Sequence, residues 1–104
     1  MDDRPREKLL LRGAQNLTDA ELVAIILRTG TKGKSVLSIA HDLIKQDGNL
    51  AVLASKSLES LKKNAGIGND KAATLLAAFE ISRRVLSQSK WTHENKITSP
   101  EDIA

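Results

Sequence analysis

Two short glycine-bearing segments hold the residues most able to do chemistry. They are Arg28-Thr29-Gly30-Thr31-Lys32-Gly33-Lys34 and Asn64-Ala65-Gly66-Ile67-Gly68-Asn69-Asp70-Lys71. A glycine turn that opens a helix presents backbone N–H groups with no partner inside the helix, and these groups can hold a phosphate. In the second segment Gly66 and Gly68 permit a tight turn and close approach of an anion, and Lys71 adds a cation. Lys62 and Lys63 stand just before the turn, in reach of flanking phosphates. Asp70 opposes this chemistry, because a carboxylate at a helix start repels a phosphate while capping the helix. The first segment is a looser copy. Gly30, Lys32 and Lys34 are its candidate contacts, Thr31 stands where Ile67 stands in the second, and Gly33 comes one residue later than Gly68 would require.

Other chemistries find no support. Gly33-Lys34-Ser35 suggests a nucleotide-binding P-loop, but that motif needs a glycine at position 28, which is Arg28, and a preceding strand. His41 and His93 have no ligand spacing around them, so no metal site is expected. Ser35 and Ser57 read as helix caps rather than nucleophiles, and Asp19 and Glu21 as capping residues rather than a catalytic pair. No catalytic residue, cofactor or nucleotide is therefore expected. One Phe and one Trp give no aromatic platform for stacking unpaired bases.

The elements that must position these residues read as helices. Pro5 and Gly13 bracket a first helix. Thr18-Asp19-Ala20-Glu21 is a capping box that opens a second, through Leu22, Val23, Ile25 and Ile26, which is expected to stop at Gly30. Ser35 opens a third that ends at Gly48, Asn49 begins a short stretch from Leu50 to Ala54, and Ser57 caps another that ends at Gly66. The longest is expected from about Asn69 to about Ser87, with a broad apolar face of Ala72, Ala73, Leu75, Leu76, Phe79, Ile81 and Val85. Without gaps, the second segment and its flanks overlay on the first: Leu22 falls on Leu58, Ile25 on Leu61, Gly30 on Gly66, Ile39 on Leu75 and Leu43 on Phe79. The expected fold is all-α, a compact bundle of five or six short helices built from two helix–hairpin–helix units.

At 104 residues the chain is one small domain with a tail. It has no cysteine, which excludes a disulfide framework and fits a cytoplasmic protein. No long apolar run suggests a membrane partner. The net charge of +3 is concentrated: residues 56–90 hold seven Lys or Arg against three Asp or Glu. That excess is a mild nucleic-acid signal. Gln88-Ser89-Lys90 breaks the apolar pattern. The domain is therefore expected over 1–88, with 89–104 a linker and the start of a further domain. Within that linker Trp91 is placed to anchor the tail or to dock the further domain.

Gly66-Ile67-Gly68 with Lys71 and Ala72 resembles the helix–hairpin–helix DNA-binding motif, in which the apolar residue between the glycines tucks into the core. Several segments together resemble the N-terminal region of the RadC family, also called UPF0758. They are Arg4-Pro5-Arg6-Glu7-Lys8-Leu9-Leu10, Gly13, Leu17 to Leu22, and Leu27 to Val36, with Ile97 to Ile103 resembling the opening of that family's second domain. The resemblance implies a tandem helix–hairpin–helix module. It also implies a following domain like the JAB/MPN metallopeptidases, whose His-x-His…Asp zinc ligands lie outside this sequence. A non-catalytic, sequence-independent DNA-binding module of a DNA-repair-type protein is the function expected, with micromolar-class affinity that falls steeply with salt. The alternative is a scaffold domain that positions the metallopeptidase-like domain without touching DNA.

Overall fold

The computed structural model describes residues 4–95, with side chains described for residues 4–89. Six helices follow one another: α1 (Arg4–Arg12), α2 (Asp19–Leu27), α3 (Val36–Asp47), α4 (Leu50–Ala54), α5 (Leu58–Lys62) and α6 (Asn69–Asn95). A 3-10 turn, Ala14–Asn16, joins α1 to α2. Among the described residues there is no β-strand, and the one β-type pairing is the bridge between Thr31 and Lys34. The fold is all-helical and compact, as the periodicity predicts.

Local chemistry fixes most of the boundaries. Thr18 Oγ1 accepts from the Glu21 N–H at 3.2 Å while Glu21 Oε1 accepts from the Thr18 N–H at 2.8 Å, a complete capping box. Lys8 Nζ donates to Glu21 Oε1 at 3.2 Å, which ties α1 to the start of α2. The Thr18 N–H and the Lys8 ammonium hold the Glu21 carboxyl below its ordinary range. Ser35, Asn49 and Ser57 cap α3, α4 and α5 through their side-chain oxygens.

The core forms where these helices meet. Ile39, Leu43, Leu53, Leu61 and Leu75 are the largest fully buried side chains. Ala24, Ala40 and Ala72 are buried among them, and their small side chains let α2, α3 and α6 pack closely. Ile67 is also buried, so the residue between the two glycines of the second hairpin is tucked into the core as expected.

Three boundaries differ from expectation. Helix α5 ends at Lys62 rather than at Gly66, because the chain leaves it through tight turns in which Asn64 N donates to Leu61 O and Ile67 N donates to Asn64 O. Helix α2 stops at Leu27 rather than at Gly30, because Arg28 turns the chain with φ 73 and ψ −55. Helix α6 runs on through Asn95 rather than stopping near Ser87. Residues 88–95 contain no glycine or proline, so nothing in that stretch breaks a helix once it is started. The side chains of Trp91 and His93, and the helix start expected at Ser99, lie outside what is described.

Candidate nucleic-acid interface

The two hairpins differ in construction. In the first, Thr31 N donates to Lys34 O at 2.9 Å and Lys34 N donates back to Thr31 O at 3.0 Å. Lys32 and Gly33 form the two-residue tip, and Gly33 takes φ 84 at the position where a type II turn needs it. Gly30 serves another purpose. A Cβ there would stand 2.3 Å from Lys34 O and 2.7 Å from Val36 N, so the backbone crosses itself where only glycine fits.

The second hairpin closes through Asn64 N to Leu61 O at 3.1 Å and Ile67 N to Asn64 O at 3.1 Å. Gly66 takes φ 87 and lies against Ile39. The Ala72 N–H donates to Gly68 O at 3.0 Å, so Gly68 is the residue from which α6 starts. Being glycine, it brings no side-chain oxygen to the first N–H groups of α6, whereas α2 to α5 each start on a capping side chain.

The hairpins lie side by side. A Cβ on Gly66 would be 3.6 Å from Thr31 Oγ1. Thr31, Gly66, Gly68, Asn69, Asp70 and Lys71 line one shallow groove at the start of α6. A second groove beside it is lined by Arg28, Thr29, Asp70, Lys71 and Thr74, among others. On the far side of the second hairpin, Lys34, Lys45 and Lys63 come together along a third groove with Asp42, Gln46 and Asn64.

Of the eight candidate contacts, Gly30, Gly66, Gly68, Lys32, Lys34 and Lys71 belong to the turns or the helix start just described, while Lys62 and Lys63 stand at the end of α5. The lysines divide into two groups. Lys71 Nζ donates to Thr29 Oγ1 at 3.1 Å and to Leu27 O at 3.4 Å, so it clamps the start of α6 onto the end of α2. Lys34 pairs with Asp42. The hydrogen bond from Lys34 holds the Asp42 carboxyl below its ordinary range, and the charges of Lys34, Lys45 and His41 act in the same direction. Lys32, Lys62 and Lys63 are exposed and pair with no described carboxylate.

Sequence reasoning left Arg28 and Thr29 out of the candidate contacts. The Thr29 N–H donates to Leu27 O at 2.9 Å across Arg28, which closes a γ-turn of the rare, strained hand. Lys71 touches the residues on both sides of Arg28, so the clamp spans that turn. Arg28 is the one non-glycine residue with positive φ among those described, and it is exposed at the rim of the groove. Nothing in its local sequence signals this: the lysine that bridges the turn lies 43 positions away.

No group of three His, Cys, Asp or Glu side chains among the described residues is placed to hold a metal ion. No described helix is long and apolar enough to cross a membrane.

A sequence profile described as UPF0758 N-terminal matches residues 1–73. A UPF0758 protein of Dechloromonas aromatica (strain RCB) is 52% identical over 102 residues, which covers 97% of this chain and 45% of that protein. A relative from Geobacillus sp. (strain WCH70) is 47% identical over 103 residues, and one from Staphylococcus carnosus (strain TM300) is 46% identical over 103. Each of these covers 99% of this chain and 45% of the relative. The chain thus spans a little under half the length of these curated relatives. No solved structure matches it.

Proposed function

The chain belongs to the UPF0758 family, and on that premise we propose that it is a non-catalytic module that grips the phosphate backbone of DNA without reading its sequence. Both glycine hairpins would serve as the tandem helix–hairpin–helix of a RadC-like repair protein. The observation that carries this reading is the convergence of the two hairpins on one shallow groove at a helix start whose first residue is glycine. Gly66 and Gly68 would let a phosphate approach the first N–H groups of α6. Arg28 beside that groove and Lys32 at the tip of the first hairpin would supply mobile positive charge close to it, and Lys62 and Lys63 at the end of α5 would reach flanking phosphates. Lys71, Lys34 and Gly30 would hold the hairpins in shape, and Asp70 would limit affinity by repulsion.

The test is fluorescence anisotropy of a labelled duplex across a range of salt. Lys32, Lys62 and Lys63 acting as three phosphate contacts give a log–log salt slope of about −2.7. Lys62→Gln with Lys63→Gln then flattens the slope by about 1.8 while leaving the melting temperature unchanged. Absence of binding at low salt would refute the reading.

A second reading has its own support. Lys71 and Lys34 are both engaged within the chain, and Asp70 lies exposed at the start of α6. These features favour a domain that positions a following metallopeptidase-like domain and uses the hairpins only as rigid turns. Under that reading the same titration shows no binding.

A further inference from the structure

Every residue from Glu80 to Ser89 is exposed, although α6 is continuous through them. The bundle covers α6 as far as Phe79, which packs against the core, and then leaves it bare. Ile81, Val85 and Leu86 are 63%, 58% and 70% exposed. They are not scattered. At about 100° per residue, Ile81, Ser82, Val85, Leu86 and Ser89 fall within one arc of about 140°. Glu80, Arg83 and Arg84 gather on the other side. Arg84 Nε donates to Glu80 Oε2 at 3.1 Å, and Arg83 reaches Ala54 O at 3.4 Å. The charged side is thus partnered within the chain, and the uncharged arc is not.

We infer that this arc is the seat of the polypeptide that follows α6 in full-length UPF0758 proteins. Three observations select that occupant. The relatives are more than twice as long as the chain, since it covers 45% of each, and the matched profile is the N-terminal one. The arc lies on the last described helix, on the stretch that leads toward that following polypeptide. The area is also too small for a second copy. Three side chains at these exposures offer on the order of 300 Å², against roughly 800 Å² per partner in a stable complex. A tethered domain needs less, because its effective concentration is already in the millimolar range. The docked face would be apolar and uncharged at its centre. This inference rests on the positioning role of the second reading and is indifferent to whether the hairpins also bind DNA.

The test compares the 104-residue chain with a full-length UPF0758 protein that carries this sequence as its N-terminal part. Amide hydrogen exchange over residues 80–89 is expected to slow at least tenfold in the full-length protein. Ile81→Glu with Val85→Glu should restore the rate of the short chain and leave residues 58–76 unchanged. Both substitutions lie at exposed helical positions, so the bundle still folds. Equal exchange in the two proteins would overturn the inference. If small-angle scattering nonetheless shows the two parts held at a fixed spacing, the positioning role survives through another surface. If it shows two freely tethered bodies, the positioning role fails as well. Concentration-dependent slowing in the short chain alone would assign the arc to a second copy and would also overturn the inference.

Discussion

Replacing Lys71 with methionine separates a structural clamp from a ligand-gripping cation. Methionine keeps most of the apolar stem and removes the donor. The ammonium makes one hydrogen bond of ordinary length, to Thr29 Oγ1 at 3.1 Å, and one long one, to Leu27 O at 3.4 Å. A hydrogen bond to a charged group contributes roughly 1.5–3 kcal/mol, and less where solvent competes for the donor. Lys71 is only half-buried and one of its bonds is long. The expected loss on Lys71→Met is therefore about 1 kcal/mol, or a fall of roughly 4–8 °C in Tm for a domain of this size. Thr29→Val removes the shorter bond from the other side. In a double-mutant cycle the pair should couple by about 0.5–1 kcal/mol, because each substitution forfeits the same contact. Chemical denaturation of the four proteins measures this, and the m-value should not change. Because the acceptors are neutral, added salt should leave the coupling nearly constant, unlike a surface ion pair. Additive single mutants, or Lys71→Met with unchanged stability and a weakened DNA complex, would refute the clamp and return Lys71 to the phosphate.

Further outcomes follow from the same geometry. Arg28→Gly relieves a strained γ-turn and should raise stability by about 1 kcal/mol, measured by denaturant midpoint. Gly30→Ala drives a Cβ into the backbone of Lys34 and Val36 and should cost about 3 kcal/mol or more, whereas Gly68→Ala, with nothing within 4 Å, should leave the melting temperature nearly unchanged. Lys56→Met strands the Asp47 carboxylate, which is 3% exposed, bonds Lys56 Nζ at 2.9 Å and has a second oxygen already unpartnered, so a loss of about 2–3 kcal/mol is expected by calorimetry. Glu21 and Asp42 have folded-state pKa values below their ordinary ones, so their stabilisation is present above the unfolded value and is lost as pH falls through the folded one. Below about pH 4.5, Glu21→Gln should therefore lose less stability on acidification than the parent chain.

The helices were legible because their signals are local. The capping box at Thr18, the caps at Ser35, Asn49 and Ser57, and the turn glycine at Gly48 each act within four residues of themselves. The burial of Ile67 was legible too, through the resemblance of Gly66-Ile67-Gly68 to a motif whose central apolar residue tucks into the core. What the sequence hid depends on approach through space. Gly30 and Gly66 share a register in the repeat but are glycine for unlike reasons. The first admits a backbone crossing, and the second takes a positive φ while lying against Ile39. The end of α2 was misplaced because Arg28, not a glycine, makes the turn. The partners of Lys71 lie on another helix end, and no local pattern announces them.

The distribution of charge sets how such a module can be used. With Lys71 and Lys34 committed to internal contacts, the mobile positive charge near the hairpins comes from Arg28, Lys32, Lys62 and Lys63, opposed by Asp70. Three or four phosphate contacts place non-specific affinity at the weak end, roughly 10⁻⁴ to 10⁻⁶ M at physiological salt. A module of that strength is occupied on DNA chiefly when something else holds it nearby. A second domain seated on the apolar arc of α6 would do this, provided that it brings a contact of its own, because a rigid linkage raises the effective concentration of each site for the other by orders of magnitude. The clamp and the arc then serve one end. Under the proposed function, the clamp would keep the hairpins in a single shape, so that little ordering entropy opposes binding, and the arc would fix where the next domain stands relative to that shape. Loosening either should weaken a tethered complex far more than it weakens the isolated module. Comparing Lys71→Met and Ile81→Glu in the short and full-length proteins would measure that difference.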